Sequence, residues 1–176
     1  MSTTKWSLDP THSEIGFKVK HMMFTNVSGK FQKFDATATT EGENFEGAQF
    51  EFSADADSVT TGNADRDTHL LSPDFFNTEA FPKVSFKSTS FEKENEGEYT
   101  LKGDFTLHGV TKPIKLDVEF GGLAKDPWGN LKAGMSVTGK INRKDFGLNW
   151  NAALEAGGVL VGEEVKFNIE LQFVKQ

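Results

Sequence analysis

The chain of 176 residues contains no cysteine. Disulfide frameworks, thiolate nucleophiles and zinc–thiolate sites are therefore excluded, while the compartment stays open because both redox environments tolerate a thiol-free chain. Basic residues are few: 19 Lys and Arg stand against 26 Asp and Glu, a net charge of −7. Such a balance argues against a sequence-independent nucleic-acid binder and against a polybasic anchor to anionic membranes. Long apolar runs are absent too; no window approaches the ~18 apolar residues of a membrane-spanning helix. The opening Met-Ser-Thr-Thr-Lys-Trp-Ser-Leu-Asp-Pro holds no signal-peptide core, so the expectation is a cytoplasmic protein without a stable membrane anchor. Asn26-Val27-Ser28 matches a glycosylation acceptor, which has no consequence without secretion.

Tyrosine is nearly missing as well, with one copy against 17 Phe. Only 36% of residues are hydrophobic, so the apolar content sits in large rings without polar handles, scattered among polar residues. That distribution suits thin sheets with one apolar face better than thick helical layers.

Period-two alternation recurs along the chain. Residues 13–22, 49–56, 99–107, 114–120, 131–141 and 165–173 each place apolar side chains on one face and polar ones on the other. Each reads as a half-buried antiparallel strand. In 27–38 the apolar face switches between Phe31 and Phe34, which reads as a bulge. In 83–91, Val84 and Phe86 fall on one face and Phe91 on the other. Turn signals separate the runs at Glu41-Gly42, Asn95-Glu96-Gly97, His108-Gly109 and Asp126 to Asn130; Glu163-Glu164 reads as a solvated turn. About eight strands in one all-β domain, 1–176, can close into a barrel or fold as a sandwich. Residues 62–77 do not alternate: Asn63 can cap a short helix that Pro73 stops, near 63–72, with Phe75 and Phe76 tucked inward.

A small eight-stranded barrel either fills with its own side chains or keeps room for one ligand. Small residues at Ala54, Ala56, Gly103, Ala133 and Gly139 interrupt the inward rows, and those rows carry almost no polar atom besides His21. Both features favour a cavity suited to a long hydrocarbon; the filled core stays open as the alternative. At ~0.8 kcal/mol per buried CH₂, one isoprene unit contributes roughly 3 kcal/mol gross. Three or four enclosed units exceed the loss of motional freedom on binding.

An ordered set of motifs resembles a known family. It runs through Asp9-Pro10-Thr11-His12-Ser13, Phe17-Lys18-Val19-Lys20-His21, Gly29-Lys30-Phe31, Asp65-Arg66-Asp67-Thr68-His69-Leu70, Asp74-Phe75-Phe76, Phe81-Pro82, Gly103 to Pro113, Asn142 to Gly147, and Gly162-Glu163-Glu164-Val165. Each motif alone is weak, but in order and spacing, from about residue 5 to residue 174, they resemble the YceI family of bacterial polyisoprenoid-binding proteins. The resemblance implies an extended, eight-stranded, lipocalin-like antiparallel barrel. It also implies a non-catalytic carrier or store for a long-chain amphiphile, such as an isoprenoid quinone or prenyl phosphate, with its tail in the lumen. Many relatives are exported to the periplasm, from which this chain departs by its opening residues.

The residues expected to line such a tail are Ile15, Phe17, Val19, Phe31, Phe50, Phe52, Leu70, Phe75, Phe76, Val84, Phe86, Leu101, Phe105, Leu116, Val118, Met135, Val137, Phe146, Leu148, Trp150, Phe167, Ile169 and Leu171. Candidates for a head group are His12, His21, Arg66, His69 and Arg143. Each has a structural alternative. His21 can be a core histidine satisfied by a neighbour, and His12 can order a strand entry. Arg66 can pair with Asp67, and Arg143 with Asp145. Guanidinium suits phosphate because it donates two parallel hydrogen bonds.

The four histidines show no metal-ligand spacing, so neither a metal nor another cofactor is expected. No G-x-S-x-G is present, and Asp145-Phe146-Gly147 lacks the companions of a kinase. An enzyme acting on a bound lipid through His21 or His12, and a filled barrel serving as a scaffold or stress protein, remain the alternative functions. Edge strands leave a homodimer open, and no nucleic-acid partner is expected.

Overall fold

The computed structural model describes residues 2–152, 154 and 160–176. Eleven strands belong to one antiparallel sheet: β1 (Thr3–Leu8), β2 (Glu14–His21), β3 (Thr25–Phe31), β4 (Phe34–Glu41), β5 (Asn44–Asp55), β6 (Val59–Thr60), β7 (Lys83–Asn95), β8 (Glu98–Leu107), β9 (Val110–Lys125), β10 (Leu131–Asn142) and β11 (Val161–Lys175). One helix, α1 (Ala64–Leu71), joins β6 to β7. Among the described residues no helix is long and apolar enough to cross a membrane.

Eight of the strands form a closed circuit in the order β1-β4-β5-β7-β8-β9-β10-β11, sealed where β11 pairs with β1. Trp6, Ser7 and Leu8 face Lys175, Val174 and Phe173 across that seam. β11 has 15 residues, roughly 50 Å of strand. It therefore holds β1 near its end and β2 along the rest, from Val161 to Glu170. Toward one end the wall continues as β11-β2-β3-β6 and stops at β6, a strand of two residues. There α1 packs beside β6, and the gap before β7 becomes the mouth of the barrel.

The helix follows from local sequence. Asn63 accepts a hydrogen bond from the Arg66 N–H, and Ser72, just before Pro73, ends the helix by bonding the His69 carbonyl.

Three strand readings are corrected. The N-terminal strand β1 went unread because Thr-Thr-Lys-Trp-Ser-Leu offers only two apolar residues, Trp6 and Leu8, although both are buried. The face switch between Phe31 and Phe34 is a break of two residues that separates β3 from β4, rather than a bulge inside one strand. Phe91 lies on the same buried face as Val84 and Phe86, because the β7–β8 register slips between Ser88 and Ser90. The extra residue reverses the alternation.

The end remote from the mouth is solid. Trp6, Phe45, Phe50, Phe91, Tyr99, Phe120 and Phe173 form a chain of ring contacts with centroids 4.5–6.5 Å apart. Trp6 Nε1 donates to Thr40 Oγ1 at 2.9 Å, so the plug leaves no polar atom unsatisfied there. Barrel and filled core are thus both present, at opposite ends.

The small inward residues serve this packing. Ala54, Ala56 and Ala133 are fully covered, and Gly139 lies under Leu116. A Cβ at Gly103 would lie 2.5 Å from the Lys87 carbonyl oxygen and closer still to the Phe86 ring. None of the five borders the cavity described below. Gly103→Ala is accordingly expected to destabilise by about 1–3 kcal/mol through overpacking, read as a lower urea midpoint.

Candidate functional site

The mouth opens into a cavity of about 390 Å³. A narrower space of about 90 Å³ continues toward the plug. The larger volume falls in the range of small-molecule sites, roughly 300–1,000 Å³. Phe17, Phe31, Val84, Phe105 and Phe167 border both spaces and form a collar between them. Ring pairs across the collar stand close, Phe17 to Phe31 at 5.8 Å and Phe105 to Phe167 at 5.7 Å.

The other residues expected on a tail divide by depth. Val19, Leu70, Phe75, Phe76, Leu148 and Trp150 border the outer cavity. Ile15, Phe50, Phe52, Phe86, Leu101, Leu116, Met135, Val137, Ile169 and Leu171 border the inner one. Val118 and Phe146 border neither. Val118 is buried opposite Val137 and Tyr99, and Phe146 packs edge-on to Phe105 at 5.4 Å. Several lining residues were missed. Val27, Leu107, Ile141 and Val165 sat in readable alternation, whereas Thr61, Leu160 and Val161 lie at or beside strand ends.

Polar groups gather at the mouth: Lys20, His21, Thr61, Asp65, Arg66, His69 and Arg143. His21 ends β2 and is half-buried; among the described residues its ring has no hydrogen-bond partner. His69 bonds Asp74 through Nε2 at 2.8 Å, and its ring meets Phe75 and Trp150 edge-on at 5.0 and 4.9 Å.

Arg66 and Asp67 do not pair with each other; both grip the strand end before α1. Arg66 Nε donates to Thr61 Oγ1 at 2.7 Å and Nη2 to the Thr61 carbonyl at 2.9 Å. Nη1 has no protein acceptor among the described residues. Asp67 accepts from Thr61 N–H, Thr61 Oγ1 and Thr60 Oγ1. Burial raises its carboxyl, but the Thr61 and Thr60 hydrogen bonds and the nearby Arg66 charge outweigh that and leave it below the usual range.

Arg143 is 3% exposed and bonds three backbone carbonyls rather than Asp145. Nε donates to Gly162 at 2.8 Å, Nη1 to Leu148 at 2.6 Å and Nη2 to Val161 at 3.4 Å. The Val161 and Gly162 carbonyls lie where β11 bulges between Val161 and Val165 against β2, and the Leu148 carbonyl lies in the segment after β10. Glu163 and Glu164, read above as a solvated turn, lie in this bulged strand, with Glu163 bonded to Lys144 at 2.8 Å. Burial pushes the Arg143 guanidinium down from its ordinary value, while Glu163 acts the other way.

His12 lies elsewhere. It is exposed on the outer wall, in the short turn Pro10–His12 between β1 and β2, with Nδ1 at 2.8 Å from Asp9 Oδ2. It does not approach His21 at the mouth, and among the described residues no cluster of three His, Asp or Glu side chains could hold a metal. Hydrogen bonds from Thr11, His12 and Lys132 hold the Asp9 carboxyl well below its ordinary value of 3.8. A depressed folded-state value contributes stability that is full above the unfolded value, shrinks below it, and is gone once pH has fallen through the folded value. Asp9→Asn is therefore expected to lower the melting temperature at pH 7, with the gap to wild type narrowing steadily as pH falls below the ordinary value of 3.8. A gap that stayed constant with pH would contradict this.

The family described as YceI-like domain matches residues 6–173. A UPF0312 protein of Staphylococcus aureus strain N315 is 38% identical over 171 residues, 97% of either chain. The crystal structure of the YCEI protein of Campylobacter jejuni superposes with a TM-score of 0.77 at 31% identity, covering 89% of this chain and 90% of that one. A polyisoprenoid binding domain from Saccharophagus degradans has the same fold, with a TM-score of 0.66 at 16% identity over 97% and 98% of the two chains.

Proposed function

The chain belongs to the YceI-like domain family, and from that premise we propose that it binds, stores or transports a polyisoprenoid or similar long-chain amphiphile without catalysis. The observation that carries this reading is a blind apolar bore, plugged by aromatic rings at one end and rimmed by polar groups at the other. Such a bore takes a tail inward and leaves the head group at Arg66, His69 and His21. Arg66 Nη1 is the rim donor left over from the grip on Thr61, and it suits a phosphate or a quinone carbonyl. The Saccharophagus domain of the same fold is described as polyisoprenoid-binding, which agrees with the chemistry of the bore.

The catalytic reading has little to stand on. A general base must reach the proton it takes: His12 has Asp9 to orient it at 2.8 Å but stands outside the cavity, and His21 borders the cavity but has no orienting partner among the described residues. The test is organic extraction of natively purified protein followed by mass spectrometry, with uptake of added quinone or prenyl phosphate as the second arm. Recovery of an isoprenoid, or saturable uptake at one per chain, is expected. Protein that is lipid-free and takes up neither compound overturns the reading.

A further inference from the structure

The turn between β2 and β3 exposes what the rest of the molecule hides. Met22, Met23 and Phe24 are consecutive and 43%, 55% and 80% exposed. They follow directly on His21 at the rim of the cavity. Met22 and Met23 both hold positive φ, 52° and 67°, the two-residue turn that Asn and Gly fill at low cost and methionine does not. Large apolar side chains are thus projected into solvent through an unfavourable backbone, beside the opening.

The charge of this hairpin is opposite to that of the chain. Between residues 18 and 33 stand Lys18, Lys20, Lys30 and Lys33 with no acidic residue, in a protein of net charge −7. All four are exposed, and among the described residues none makes an ion pair. Lys18 faces Lys166 directly across the β2–β11 ladder. Of the nearby acids, Glu163 and Glu164 are engaged by Lys144 and Lys140, and Asp65 lies on the helix side of the rim. The acidic total therefore conceals a cationic hairpin with an apolar tip.

We propose that this tip inserts shallowly into an anionic lipid surface and sets the mouth of the cavity against it. The three apolar side chains would enter the headgroup–acyl boundary while the lysines meet the anionic headgroups. Contact of this size is reversible. It lets a tail pass between bilayer and bore without crossing water. The inference rests on reading the bore as a lipid site, and it supplies the route by which that site fills.

The test compares wild type, Met23→Ser/Phe24→Ser and Lys18→Gln/Lys30→Gln, each checked for native circular dichroism. Binding is measured by co-sedimentation with vesicles of phosphatidylcholine alone or mixed with phosphatidylglycerol. Quinone uptake is followed separately from the mixed vesicles and from cyclodextrin. Wild type is expected to sediment with the mixed vesicles only, and less so at high salt. The tip variant is expected to lose roughly tenfold in both partition and transfer rate, and the lysine variant to lose its preference for phosphatidylglycerol. Uptake from cyclodextrin should stay unchanged in both, since none of the four substituted side chains lines the bore. Wild type that ignores the mixed vesicles, or a tip variant that matches it, overturns the proposal. Self-association that the tip variant abolishes, without vesicle binding, also overturns it and assigns the tip to a second copy. Absence of uptake from cyclodextrin in every protein instead overturns the lipid-site reading, leaving co-sedimentation to judge the tip.

Discussion

Arg143→Ala is expected to lower the melting temperature by roughly 6–15 °C. The guanidinium, itself 3% exposed, donates to three carbonyls, of Gly162, Leu148 and Val161. The Gly162 and Leu148 carbonyls would lose their side-chain donor at about 1–3 kcal/mol each, while the Val161 carbonyl keeps Asn151 Nδ2 at 2.8 Å. In a domain of this size 1 kcal/mol corresponds to roughly 2–4 °C. Arg143→Lys should recover only part of the loss, because one ammonium cannot serve three divergent acceptors as a planar fork does. Ligand affinity should fall as well, since Leu148, Val161 and Val165 of the cavity wall are positioned by this clamp. Thermal melts by circular dichroism decide the matter; a fall of under about 2 °C would show that the bulge holds without its clamp.

Val84→Phe is expected to shorten the bore. Val84 stands in the collar, paired with Ala54 on β5, and borders both the outer and the inner space. A phenyl ring there closes the way inward while leaving the rim intact. Long-tailed ligands should then lose between about tenfold and a hundredfold in affinity, since excluding one isoprene unit forfeits up to roughly 3 kcal/mol of burial. Ligands short enough to fit the outer cavity should bind as before. Titration with quinones of increasing isoprene number reads this as a break in the dependence of affinity on length. An equal effect on short and long tails would mean that the two spaces are not one bore.

Much of the fold was legible because period-two alternation reports directly which face of a strand is buried. The rows of β2, β5, β8, β9, β10 and β11 were read this way, and the capped helix came from a contact only three residues apart, Asn63 to Arg66. What alternation does not carry is depth along the barrel. It placed Phe50 and Phe17 on the same face, yet Phe50 belongs to the plug side and Phe17 to the collar. Nor does it survive a slipped register, which is why Phe91 was assigned to the wrong face.

The polar rim was harder to read. Arg66 and Asp67 are neighbours in sequence, but their partners are Thr60 and Thr61 at a strand end. The acceptors on Arg143 include two lying 18 and 19 residues away, exposed by a bulge that no local pattern announces. Glycines were misread for a related reason. An absent side chain marks space, and only the partner strand shows that Phe86, not a guest molecule, occupies it at Gly103.

The seam between β1 and β11 bears on how the molecule is made. Trp6 cannot be sheltered on both sides until residues 173–175 have been synthesised, because the first strand completes its pairing with the last. Until then the sheet carries one raw edge, with an indole beside it, open to other nascent chains. Closure therefore waits until both strands are present. Because it joins segments so far apart in sequence, this seam is the most non-local pairing of the wall, and until it forms both edges stay open to other strands.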